Sequence, residues 1–202
     1  MRKFERLTAV ACPLPIAGID TDQLIPARFI NRTRAEGYGD FLLHDLRQAA
    51  DFPLNDPAYA GAAVLVARRN FGGGSSREGA VYALLDYGIR CVIAPSFGDI
   101  FAGNAVGNGL LPALLAEAEV EVLLEWLAGG RSELTIDLHA RTVATPAHVW
   151  HFDINPVWRE KLLHGWDDLD MTLARQADID AFVAADRVAR AWAWLRKEVV
   201  LF

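Results

Sequence analysis

The spacing of hydrophobic and polar positions changes several times along this chain, and each change marks an element. "LTAVACPL", residues 7–14, alternates enough to predict a strand. It runs into "AGIDTDQLIP", where Asp20, Thr21 and Asp22 form a polar turn before an apolar stretch closed by Pro26. "RFINRTRAEGYGDFLLHDLR" starts basic, contains two glycines and becomes a short amphipathic segment, and "DFPLNDPAYAG" reads as a Pro- and Asp-rich surface loop. "AAVLVA" at 62–67 and "RCVIAP" at 90–95 are unbroken apolar runs between turn signals, the pattern of buried strands. Between them, "REGAVYALLDYG" predicts a helix with Val81, Leu84 and Leu85 on one face and Gly88 as its C-terminal stop. "SFGDIFAGNAVGNG" predicts another, with Ser96 as N-cap, Asp99 three residues on, and Ile100 and Phe101 on the apolar face. "AEAEVEVLLEWLAGG" is an amphipathic helix closed by Gly129 and Gly130, and "ELTIDLHARTVATPAHVWHF" has the two-residue period of antiparallel strands. From Pro156 to Lys197 the chain reads as helical. The expected architecture is an α/β domain over 1–175, strand–helix–strand–helix with β-hairpin material, and a helical C-terminal extension, 176–202, packed on it.

Composition narrows the function. Of 202 residues, 52% are hydrophobic, so a sizeable core is expected rather than disorder. The net charge is −6 with no basic run, which argues against a nucleic-acid partner, since phosphates must be neutralised. No apolar run approaches the roughly 20 residues a membrane span needs. "MRKFERLTAV" has neither an apolar signal core nor a cleavage site, and a cytoplasmic location is expected. Cys12 and Cys91 fall in separate predicted strands with no CxxC, too few thiols for an iron–sulfur cluster or a closed Cys-rich zinc site. Strand spacing scatters His139, His148 and His151, so no metal site is expected, and the cysteines read as small buried thiols.

The chemistry concentrates in "NFGGGSSREGAVYALLDYG", residues 70–88. Three glycines lead into Ser75, Ser76 and Arg77 at the start of a predicted helix. Glycines such as Gly74 let the backbone approach a ligand and adopt positive φ. Free N–H groups and the helix dipole at that end favour negative charge. A serine hydroxyl adds a donor or, once deprotonated, a base, and Arg77 adds a planar fork that matches a carboxylate. The same residues also suit a plain strand–helix turn with serine as cap. A P-loop is excluded because no Lys-Ser/Thr closes the motif. The dinucleotide fingerprint fails because Arg77 stands where the last glycine belongs, and no nucleophile-elbow pattern is present. What remains is an anion site with a hydroxyl beside it.

This stretch resembles "NFGCGSSREHA…AL.DYG" of the 3-isopropylmalate dehydratase small subunits, an aconitase-superfamily family. "IDTDQLIPARF", "VIAPSFGDIFAGNAVGNGLLP" and "FDINPVWREKLLHGWDDLDMTL" resemble further segments of that family, in order, over most of residues 7–175. The resemblance implies a single aconitase-type swivelling β/β/α domain with a helical tail. It implies a large-subunit partner, in a heterodimer or heterotetramer, which holds a [4Fe–4S] cluster while this chain binds none. The implied reaction interconverts 2- and 3-isopropylmalate by loss and re-addition of water, in leucine biosynthesis. Ser75 would be the base, with Ser76, Arg77 and Gly74 binding a substrate carboxylate of a small di- or tricarboxylate. Arg28, Arg32 and Arg34 are candidates for the distal carboxylate, or form a solvated basic turn. Asp20, Thr21 and Asp22 would orient the loop or cap a turn. Four positions depart from the pattern: Gly73 replaces a usual Cys, Gly79 a usual His, Lys161 a frequent Cys and Asp170 a Gly. Ala35-Glu36-Gly37 also stands where many isopropylmalate enzymes read RTG. These departures bear on the substrate, so a paralogous dehydratase for a methylmalate- or dimethylmalate-type diacid, or a non-catalytic protein on the same fold, is kept as an alternative.

Overall fold

The computed structural model describes residues 1–31, 37–75, 77–130 and 133–194. The chain divides into two compact units, Met1–Gly165 and Trp166–Phe202. Among the described residues of the first, seven strands form one sheet. Four run parallel: β1 (Arg6–Leu14), β2 (Val64–Ala67), β3 (Cys91–Ala94) and β4 (Leu111–Leu114). Three follow in antiparallel meander: β5 (Glu133–Asp137), β6 (Thr142–Ala144) and β7 (Val149–His151). The order is β4-β3-β2-β1-β5-β6-β7, so long β1 joins the two halves, parallel to β2 on one side and antiparallel to β5 on the other.

Strands β2 and β3 are buried at every residue because both their faces are covered. On one face lie α1 (Thr21–Leu24), α2 (Glu78–Tyr87) and the turns that carry Leu42, Leu43, Phe52 and Leu54, packed on Leu14, Leu65 and Val92. On the other, α4 (Glu117–Ala128) and α5 (Pro156–His164) pack with Val64, Val66, Ile93, Leu134 and Val143. Helix α3 (Asp99–Gly107) connects β3 to β4 and gives Phe101 and Ala105 to the first layer and Val106 to the second. In α2, Val81 and Leu84 are buried and Leu85 half-buried, and Gly88 ends the helix at φ +113°, a conformation glycine adopts without a Cβ penalty.

Several local readings change. Ser96 does not cap α3: the helix starts after Gly98 without a side-chain cap, and Ser96 Oγ instead accepts the Asn70 N–H at 2.8 Å. Ile100 is 56% exposed, because α3 turns Phe101, Ala102, Ala105 and Val106 inward. Strand β4 was not legible because Pro112 argues against a strand; it is tolerated because β4 is an edge. The 51–61 stretch is more than surface, since the first of its two 3₁₀ turns buries Phe52 and Leu54.

The second unit contains α6 (Asp168–Leu173), entered by an Asp167 capping box, and α7 (Gln176–Ala189). A 3₁₀ turn at Ala191–Ala193 follows, and Trp194 Nε1 donates to Asp186 Oδ2 at 3.0 Å. No helix among the described residues is long and apolar enough to cross a membrane.

Candidate active site

The glycine loop joins β2 to α2 at the carboxyl ends of the parallel strands, where open α/β sheets form ligand crevices. The neighbouring turns hold its backbone from both sides. From the β1 side, Gly72 N–H donates to Ile19 O at 2.7 Å and Thr21 N–H to Gly73 O at 3.0 Å. The Thr21 hydroxyl donates to Ser75 O at 2.9 Å, and Thr21 is a buried polar residue. From the β3 side, Phe71 N–H donates to Ser96 O at 3.0 Å and Gly98 N–H to Phe71 O at 2.9 Å. Phe71 is buried and packs edge-on against Phe97 and Phe101, which anchors the start of the loop in the core. The glycines serve two purposes. Gly72 (φ +70°) lies so close to the Phe101 ring that a Cβ would drive into it, and Gly74 (φ +91°) turns the chain so that Ser75 faces outward, exposed.

Arg77 precedes α2 and carries its guanidinium to Asp22 on α1 as an ion pair. Its Nη1 is buried against the Asp22 carboxylate. A guanidinium is a planar donor fork of the kind that takes a carboxylate bidentately, and here Asp22 supplies the carboxylate. Ser75, Gly72 and Gly74 line a cavity of about 190 Å³ with Gly98, Asp99, Ile100 and Phe101. The last three form the first turn of α3, which no side chain caps, so the partial positive charge of that helix end and the Asp99 carboxylate both border the cavity.

Of the expected site residues, Ser75 and Gly74 line this cavity, whereas Arg77 is not among its walls and lies against Asp22. Asp20, Thr21 and Asp22 both cap and orient: Asp20 closes a capping box with Gln23 (2.7 and 3.0 Å), Thr21 holds Ser75 and Asp22 pairs with Arg77. Of the candidate arginines, Arg28 is engaged with Asp45, Nη1 to Oδ2 at 3.0 Å, and lies over the Phe29 ring. That hydrogen bond, with a second from His44, holds the Asp45 carboxyl down to about 2. Ser76, Arg32, Arg34, Ala35 and Glu36 lie outside the described residues. Sequence reasoning missed Ile100 at the cavity, because its apolar character placed it in the core.

The cluster that the resemblance implies does not fit the donors present here. Cys12 lies in one core layer and Cys91 in the other, both fully buried. Burial pushes both thiols up, Cys12 to about 12, so neither is poised as a thiolate ligand. No group of three or more His, Cys, Asp or Glu side chains among the described residues has metal-binding geometry.

The class of protein follows from fold and sequence together. The family model of the aconitase C-terminal domain matches residues 1–118. A crystal structure of a 3-isopropylmalate dehydratase from Methanocaldococcus jannaschii superimposes with a TM-score of 0.64 at 24% identity, over 87% of this chain and 98% of that one, a likeness of fold. Closer in sequence is the 3-isopropylmalate dehydratase small subunit of Phenylobacterium zucineum, 46% identical over 95% of this chain and 98% of its own length. That of Rhodospirillum centenum is 47% identical, over 96% and 99%. The chain belongs to the family of 3-isopropylmalate dehydratase small subunits, components of a hydro-lyase.

Proposed function

We propose that this chain works with a large subunit to interconvert 2- and 3-isopropylmalate in leucine biosynthesis, and that Ser75 is its base. In this reading the [4Fe–4S] cluster belongs to the large subunit, and this chain supplies proton transfer and carboxylate binding. Arg77, with Ser76 and the Gly74 backbone, holds a substrate carboxylate. Ser75 Oγ takes the proton from the carbon next to it, and the charge that develops spreads into the carboxylate held by Arg77. A serine hydroxyl is a weak base at neutral pH, so its alkoxide needs neighbouring dipoles. The uncapped first turn of α3 offers these. The observation that carries the reading is the exposed Ser75 lining a cavity on a loop fixed from both sides, with α1 joining it through Thr21 to Ser75 and through Asp22 to Arg77.

Turnover of 2-isopropylmaleate by the two chains together tests it. Ser75→Ala is expected to lower kcat by at least 10³-fold, an oxyanion- or base-scale loss, with the melting temperature unchanged. Ser75→Ala that retained turnover would exclude the serine base. A second reading rests on Gly79, which stands where the resembling family usually has His, so that no side chain at this position meets Tyr38, Ile25 and Ile30. Turnover confined to methyl- or dimethyl-substituted maleates would assign the chain to that paralogous dehydratase.

A further inference from the structure

In the proposed reaction the alkyl branch of the substrate has to lie beside Ser75. Dehydration of 2-isopropylmalate takes the hydroxyl from the carbon that bears the isopropyl group and a proton from the next carbon. Formation of 3-isopropylmalate returns the hydroxyl to that next carbon and a proton to the branched one. A base that serves both directions therefore works at the branched carbon or its immediate neighbour, and the branch falls within the cavity that Ser75 lines. That cavity has one apolar side, formed by Ile100 and Phe101 in the first turn of α3. Phe101 is 3% exposed and packs on Phe71 with ring centroids 5.4 Å apart, so it makes a fixed floor. Ile100 is 56% exposed, an apolar side chain that the fold leaves uncovered. The turn that carries it is tied to the serine loop: Gly98 N–H donates to Phe71 O and Ala102 N–H to Gly98 O, each at 2.9 Å. Ile100 thus keeps a set place relative to Ser75.

We propose that Ile100 contacts the alkyl branch of the substrate and is a residue by which this chain selects the size of that branch. The inference rests on the reading that Ser75 is the base at this cavity. The side chains of the α3 wall offer a substrate carboxylate nothing, since Ile100 and Phe101 carry no donor and Asp99 carries a like charge. An isopropyl group suits the same wall. Closing it over Ile100 removes apolar surface of both from water, a gain that a methyl branch realises only in part. Apolar contacts of this kind discriminate by about tenfold to 200-fold per methylene in an enclosed pocket, and a single half-open wall belongs at the low end of that range. Ile100 therefore sets a preference between branches rather than an absolute requirement.

The test is a ratio: kcat/KM for 2-isopropylmaleate over kcat/KM for methylmaleate, measured for this chain together with its large subunit. Ile100→Ala is expected to lower the ratio about tenfold, and Ile100→Val, which keeps most of the contact, to lower it less. Both variants should keep the wild-type melting temperature, because the side chain they change is exposed. If Ile100 only supported the fold of the loop, its loss would slow both substrates in proportion and leave the ratio in place. An unchanged ratio in Ile100→Ala, with Ser75→Ala inactive on both substrates, would overturn the role of Ile100 and leave the serine reading standing. Turnover retained in Ser75→Ala would remove the base from this cavity, and both readings would fall.

Discussion

Gly72 and Gly79, near the two ends of the serine loop, respond in opposite ways to a methyl group. At Gly72 a Cβ meets both obstacles at once, a left-handed backbone and the Phe101 ring. Gly72→Ala should cost about 3 kcal/mol or more, combining the αL penalty with overpacking. Gly79 has neither problem. It sits in the first turn of α2, and an added Cβ would make ordinary contact with Tyr38, Ile25 and Ile30. Gly79→Ala should therefore stabilise by ~0.5–1 kcal/mol, through helix propensity and a less flexible unfolded chain. Urea denaturation of the two variants measures both, and a shift of the same sign in each would contradict the assigned backbone conformations.

At the scale of elements, α1 shows how a very short helix can have a large role. Four residues cannot sustain a helix in water, so α1 exists because tertiary contacts hold it. Its capping box fixes where it starts, and this sets Thr21 under Ser75 and Asp22 against Arg77. Thr21→Val keeps the shape and removes the hydroxyl. Ser75 O then loses its partner at a part-buried position, which should cost about 1 kcal/mol of stability. The serine loop is also freed to shift, and a small misplacement of a base is expensive, so kcat should fall about tenfold with KM little changed. Equal kinetics in Thr21→Val and wild type would show that the loop keeps its place without α1.

Over the whole Met1–Gly165 unit, the two thiols report on the two core layers that the sheet separates. Cys12 belongs to one and Cys91 to the other, and burial raises both above the ordinary thiol value of 9.0. A raised thiol pKa means that the fold prefers the protonated form. That contribution is complete below about pH 9 and is lost as pH climbs through about 12, where Cys12 titrates in the folded chain. Stability should thus decline on the alkaline side. A thiol reagent at pH 8 should label both cysteines only as fast as the unit unfolds, and at one common rate. Rapid labelling of one cysteine alone would mean that its layer opens independently.

Much of this protein was legible from local pattern. The buried strands at 64–67 and 91–94, the helix between them and its Gly88 stop follow from hydrophobic runs, period and turn residues, each a property of a few neighbours in the chain. The serine loop was legible for the same reason, since its glycines, hydroxyls and arginine are contiguous. What the tertiary structure alone decided depends on residues far apart in sequence. Pro112 becomes acceptable only because β4 lies at the edge of the sheet. Ser96 turns from cap to loop tie because Asn70 lies beside it, and Arg28 engages Asp45 because two turns meet. Ile100 leaves the core because the inward face of α3 is filled by Phe101, Ala102, Ala105 and Val106. Local chemistry writes the elements and the reactive loop into the sequence, while partners and exposure are set by contacts that exist only once the chain has folded.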